Sequence, residues 1–197
     1  ERALAINPNM KGVEQSIELE RQVPHELAHM LLFRRIGANY ARLPAWLTEG
    51  MATMAELYPN SDFTTALNSA TDNNTLLPLT DLCNSFPPDT ANAFLAYAES
   101  ESFVRYIVDK HGTSGLSALA SAYADGLDCE QGARQALNLS LSQLEVQWRE
   151  STLGENRSGV DMPRHAIATH LTSLVRVAGA IGLPFLGLLA ALLKGVF

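Results

Sequence analysis

The stretch Pro24-His25-Glu26-Leu27-Ala28-His29-Met30 constrains this chain more than any other. Two histidines four residues apart lie on one face of an α-helix, about one turn apart, so both imidazoles can reach a single metal ion. The glutamate between them sits one step round the helix, where it can act on a water at the metal rather than on the metal itself. A helix here is supported by Val23, Leu27, Met30, Leu31 and Ile36, which form an apolar stripe at helical spacing. Pro24 suits a first turn, where a missing N–H costs nothing, or alternatively marks a kink. Gly37 suits a stop. The helix is therefore expected from Gln22 to Arg35.

A two-histidine site needs a third protein ligand. Glu49 stands twenty residues past His29, within Pro44-Ala45-Trp46-Leu47-Thr48-Glu49-Gly50-Met51-Ala52. Pro44 marks the start of a second helix, expected to run to Leu57, with Trp46, Leu47, Met51 and Met54 on its buried side. A short turn over Ala38 to Arg42 would let it pack on the first helix and aim Glu49 at the histidines. Two histidines and one glutamate with an open fourth position form the ligand set of a hydrolytic zinc site.

His-Glu-x-x-His followed by Trp46-Leu47-Thr48-Glu49-Gly50 resembles the gluzincin metallopeptidases, specifically the peptidase MA-like domains. Ala96 to Ile107 is similar to the helix that follows the site in that family, and Leu141 to Arg149 is similar to its closing helix. Together these cover Arg2 to Leu153. The resemblance implies a zincin-like peptidase fold with His25, His29 and Glu49 as ligands of one Zn2+ per chain. It also implies Glu26 as general base and a peptide or protein as substrate. Some gluzincins place an aspartate one turn after the third ligand to orient a histidine. That position here is Thr53, which leaves Thr53, Glu56 or a backbone carbonyl to do this.

The oxyanion that forms during hydrolysis needs a donor besides the metal. Tyr97, Tyr106, His111 and Arg105 are candidates. Tyr97 is favoured because it lies in the helix similar to the one that passes the site in the family, although a half-buried packing role is the alternative. His111, His165 and His170 have no partner at ligand spacing.

The chain has 197 residues, enough for one domain with its own core, and a net charge of −7. An acidic surface without an arginine-rich patch argues against nucleic acid as a partner. A start at Glu1, without methionine, is expected of a fragment or a processed form. Cys83 and Cys129 are either two separate buried thiols or one disulfide, and a disulfide requires an oxidising compartment.

The fold expected is mainly α, formally α+β with a small N-terminal edge-strand region. Arg2–Asn7 alternates weakly, and Ser16–Glu20 reads as strand or helix entry. After the two ligand-bearing helices, a short helix is expected over Phe63–Ser69, capped by Asp62 or Ser61. A helical turn at Pro78–Leu82 comes next, then helices over Thr90–His111, Ser114–Asp125, Cys129–Asn138 and Ser140–Thr152. The peptidase domain spans 1–153, and 154–170 is a polar linker.

Residues 171–194 read as a transmembrane helix. Val177 to Leu193 carries no charge, and Arg176 and Lys194 can snorkel at the two faces. A hairpin of two short buried helices broken at Pro184 is the alternative. The expected location is a single-pass membrane protein, with the cysteine pair favouring an extracytoplasmic head. Two functions remain open at this point: a membrane-anchored zinc metallopeptidase, and a non-catalytic anchored binding module that keeps the fold. An intramembrane protease is rejected, because Glu18, Glu20, Arg21, Arg34 and Arg35 flank the motif.

Overall fold

A computed structural model describes residues 11–58 and 60–154. Six α-helices follow one another: α1 Val13–Ile36, α2 Ala45–Met54, α3 Ser61–Asn73, α4 Thr90–Ala124, α5 Cys129–Leu137 and α6 Leu141–Trp148. A 3-10 turn, Gly37–Arg42, joins α1 to α2, and a π-helical turn, Arg149–Leu153, succeeds α6. There is no strand among the described residues. Ser16–Glu20 is helical, whereas Arg2–Asn7, the other candidate edge strand, lies outside the described residues.

The helix α1 is longer than the motif required. It begins at Val13, after a glycine with φ +66°, and ends at Gly37, with φ +69°. Pro24 is therefore not in a first turn but well inside the helix, which corrects the expected start at Gln22. An interior proline ordinarily costs a helix about 3 kcal/mol, because it removes one N–H and crowds the preceding turn. Its orphaned carbonyl belongs to Glu20, and that oxygen accepts instead from the backbone N–H of Leu57, at 3.3 Å.

The face of α1 that docks onto the body is the histidine face: His25, His29 and Leu32 are buried. Of the apolar stripe, Val23, Leu27 and Met30 are 40 %, 45 % and 60 % exposed, while Leu31 is half-buried and Ile36 packs against the core. The spacing thus identified the helix, but its inward face is formed by the two histidines with Leu32, and Ile36 closes it at the end.

The helix α2 is short and fully used. Trp46 and Leu47 are completely buried. The Trp46 ring lies edge-on to Phe103, with centroids 5.0 Å apart, and to Tyr123, at 6.1 Å. Phe103 in turn meets Trp148 at 5.7 Å, so one aromatic cluster ties α2, α4 and α6 together. Two of the N–H groups that a helix start leaves without intrahelical partners are taken by the carbonyls of residues 82 and 83. Ala45 N–H donates to Cys83 O and Trp46 N–H to Leu82 O, both at 3.0 Å. Cys83 is joined to Cys129 at the start of α5 by a disulfide, with Cα atoms 6.3 Å apart.

The helix α4 runs through the middle of the fold. Gly112, with φ +71°, breaks its helical path, as the sequence suggested. Buried Glu99 accepts from Leu77 N–H at 2.8 Å, and Glu145 on α6 accepts from Leu79 N–H at 3.1 Å. Arg149 pairs with Glu145 and donates to Leu77 O at 3.0 Å. These charged groups hold the 77–79 segment that leads to the Leu82–Cys83 cap of α2.

The remaining boundaries differ in detail. The helix α3 is capped by Asn60, whose side chain accepts from Asp62 N–H, rather than by Ser61 or Asp62. The helix expected over Ser140–Thr152 becomes regular α6 and then the π-helical turn. Among the described residues no helix is long and apolar enough to cross a membrane. Residues 171–194 and most of the 154–170 linker lie outside the described residues.

Candidate metal centre

The inward face of α1 presents His25 and His29, and α2 crosses it so that Glu49 meets both. His25 Nε2 lies 3.4 Å from Glu49 Oε2, His29 Nε2 lies 3.3 Å from the same oxygen, and the two Nε2 atoms are 3.2 Å apart. Gly50 sets how closely α2, which carries Glu49, packs on α4. A Cβ there would sit 2.4 Å from the Ser100 carbonyl oxygen and 2.6 Å from Val104, so only glycine lets α2 approach α4 this closely.

Both Nδ1 atoms are engaged on the outer side. His25 Nδ1 is 3.0 Å from Glu56 Oε1, and His29 Nδ1 is 2.9 Å from Tyr40 Oη. A ring whose Nδ1–H donates outward turns an unprotonated Nε2 inward. Two such nitrogens and a carboxylate oxygen within hydrogen-bond distance of each other could hold a shared cation.

The dimensions fit a metal. The edge of a tetrahedron is about 1.63 times its centre-to-corner distance, so ligand atoms about 3.3 Å apart enclose a centre about 2.0 Å from each, the bond length of zinc to imidazole and carboxylate. The donor set, two histidines and one glutamate, leaves one corner open.

The electrostatics show the same convergence with a proton in the cation's place. Burial alone would pull the His25 imidazole down, but its bonds to Glu49 and Glu56 and their charges overcome it and hold the ring at about 9. Burial would push Glu49 up, and the hydrogen bonds and charge of the two histidines bring it to about 2 instead.

Tyr97 on α4 faces this cluster. Its ring centroid is 6.4 Å from that of His25, and Phe86 packs edge-on against it at 4.9 Å. Burial, then the charges of Glu49 and Glu26 and a hydrogen bond to Glu49, push its hydroxyl up to about 12. It is thus a firmly protonated donor beside the carboxylates. Glu26, on α1 next to His25, is half-buried.

Of the other donors considered from the sequence, Tyr106 bonds Gln147 at 3.2 Å and Arg105 pairs with Glu101, away from the histidines. His111 has a buried Nε2 without a partner among the described residues. Thr53 makes no bond to a histidine; its hydroxyl is buried without a partner among the described residues, and Glu56 takes the role. Two participants were missed: Tyr40, in the 3-10 turn, and Arg21, whose Nε is 3.5 Å from Glu56 Oε2. The only sequence signal for Tyr40 was a lone aromatic in a short connection, and Arg21 gave none beyond its charge.

No curated protein and no solved structure matches the chain. A protein-family model, that of the peptidase MA superfamily, matches residues 9–154. Members of that superfamily are typically zinc-dependent. The matched stretch takes in every residue of the cluster, from Arg21 to Tyr97, and the chain belongs to the peptidase MA superfamily.

Proposed function

We propose that the chain is a zinc-dependent metallopeptidase of the gluzincin type, in which His25, His29 and Glu49 hold one zinc ion. The observation that carries this is the triangle of 3.2–3.4 Å between two Nε2 atoms and one Oε2, with its tetrahedral fit and open corner. When bound, zinc supplies a Lewis acid that lowers the pKa of its water towards about 7 and polarises the scissile carbonyl.

The protein's own residues do the rest. Glu26, beside His25, takes the proton of the attacking water and delivers it to the leaving amine. Tyr97, held protonated by burial and by its acidic neighbours, donates its O–H to the carbonyl oxygen as that oxygen gains charge. Glu56, an acceptor only when ionised, holds His25 with its Nδ1–H outward, and the Tyr40 hydroxyl accepts from His29 Nδ1–H when that ring turns its Nε2 lone pair to the same centre.

The domain comprises 1–153, joined through 154–170 to a membrane anchor at 171–194. The uncharged run Val177–Leu193 supports the anchor. The Cys83–Cys129 disulfide supports a head that faces an oxidising, extracytoplasmic compartment. The substrate is a peptide or protein. Incubating the zinc-loaded protein with a mixed peptide library tests the activity. Cleavage by wild type and none by Glu26→Gln is the result expected; equal cleavage by both would remove Glu26 from the mechanism, and none by a zinc-loaded wild type would remove the activity.

A further inference from the structure

We propose that Pro24 is a positioning residue for the metal centre: by deleting one helical N–H it frees the Glu20 carbonyl to hold the segment that carries Glu56 to His25. The inference rests on the metal-centre reading above and deepens it.

In a regular helix the N–H of residue 24 would donate to Glu20 O. Proline has none. In its place the Leu57 N–H, from beyond the end of α2, reaches Glu20 O at 3.3 Å. The next residue of α1, Arg21, places its Nε 3.5 Å from Glu56 Oε2. The other oxygen of Glu56 lies 3.0 Å from His25 Nδ1, and His25 is the residue directly after the proline. One short stretch of α1, residues 20 to 25, therefore both creates the acceptor and receives the carboxylate.

Glu56 could not come from α2 itself. The helix ends at Met54, and Glu56 N–H bonds back to Thr53 O at 3.1 Å. Its direction is set by the neighbouring Leu57, whose N–H is anchored on Glu20 O. His29 needs no such device, because its partner Tyr40 comes from the short turn joining α1 and α2. A proline that is unfavourable for its own helix thus serves the docking of another segment.

The test uses the full chain, with zinc affinity measured by competition against a chromophoric chelator, thermal melting, and hydrogen exchange of the Leu57 amide. Pro24→Ala restores the internal helix bond. It is expected to melt no lower than wild type, to lose protection at Leu57 in the metal-free protein, and to bind zinc about 10- to 100-fold more weakly, the range for losing a partner of a ligating histidine. Glu56→Gln should weaken zinc to a similar degree, and the double variant no further than the worse single one, since both act through one contact. Unchanged Leu57 protection and unchanged zinc affinity in Pro24→Ala would overturn the inference, as would losses that add in full in the double variant. A wild-type chain that takes up no zinc would overturn the metal-centre reading instead, while Leu57 protection would still report on the proline.

Discussion

His25 is asked to do two things at once, and its neighbours divide them. Its Nε2 faces Glu49 and His29, and its Nδ1 faces Glu56, so a carboxylate stands at each end of the ring. In the mechanism proposed above the work on the substrate falls to other residues, the proton to Glu26 and the hydrogen bond to the carbonyl oxygen to Tyr97. Tyr97→Phe should lower kcat about 10²- to 10³-fold with little change in KM or zinc content, because the hydroxyl is used only as charge develops on the substrate oxygen; steady-state kinetics on any cleaved peptide checks this. A second buried acid lies away from the centre. Glu99 is fully buried, and burial raises its carboxyl from 4.5 to about 8, against the opposing bond from Leu77 N–H and the charge of Arg149, with Glu145 adding to the rise. The unfolded chain ionises near 4.5 while the folded chain keeps the proton to about 8, so stability falls as pH rises between these values. Glu99→Gln should flatten that slope and melt higher than wild type at about pH 8; parallel melting curves of the two proteins from about pH 5 to 8 would contradict it. At this scale His25, Glu26 and His29 were legible as a group because a four-residue spacing carries its own geometry, and the structure brings Glu49 to both histidines. Glu56 was reached only as one of three options, and Tyr40 not at all, because which group meets an Nδ1 depends on how two helices dock.

Elements decide how closely those residues are placed. The crossing of α2 on α4 is set by Gly50, where a methyl group would meet the backbone of Ser100, an atom that cannot swing aside. Gly50→Ala should cost about 1–3 kcal/mol of stability or somewhat more, by overpacking. It should also weaken zinc binding, because Glu49 moves with α2. A melt and a chelator titration check both, and a variant as stable as wild type with unchanged zinc affinity would contradict the crossing. The existence and order of the helices could be read from apolar spacing in α4 and α6, where Phe103, Ile107, Leu141, Leu144 and Trp148 are fully buried. The same logic failed on α1. Its start was drawn to Pro24, where a proline is cheapest, but the fold carries helix through the proline and uses the freed carbonyl elsewhere. Much of its apolar stripe, Val23, Leu27 and Met30, is also exposed, since the histidines are what α2 packs against.

Among the described residues, a buried core is joined by a covalent tie beside the site. The Cys83–Cys129 disulfide closes a separation of 46 residues and fixes the segment whose carbonyls cap α2. Paired replacement of both cysteines by serine should destabilise the fold by about 4 kcal/mol on the chain-entropy estimate. Comparison of thermal melts with and without reductant, alongside the double variant, checks it; a reduced protein that melts with the oxidised one would contradict it. The sequence offered the pair only as one of two alternatives, because no local pattern reports that residue 83 and residue 129 meet at the ends of two different elements. The central claim is that His25, His29 and Glu49 hold one catalytic zinc. The most direct measurement is metal content per chain of the purified full-length protein against its Glu49→Ala variant. One zinc per chain in wild type, lost in a variant that still folds, is the expected result. A folded, disulfide-intact wild type that takes up no zinc when zinc is supplied would contradict it.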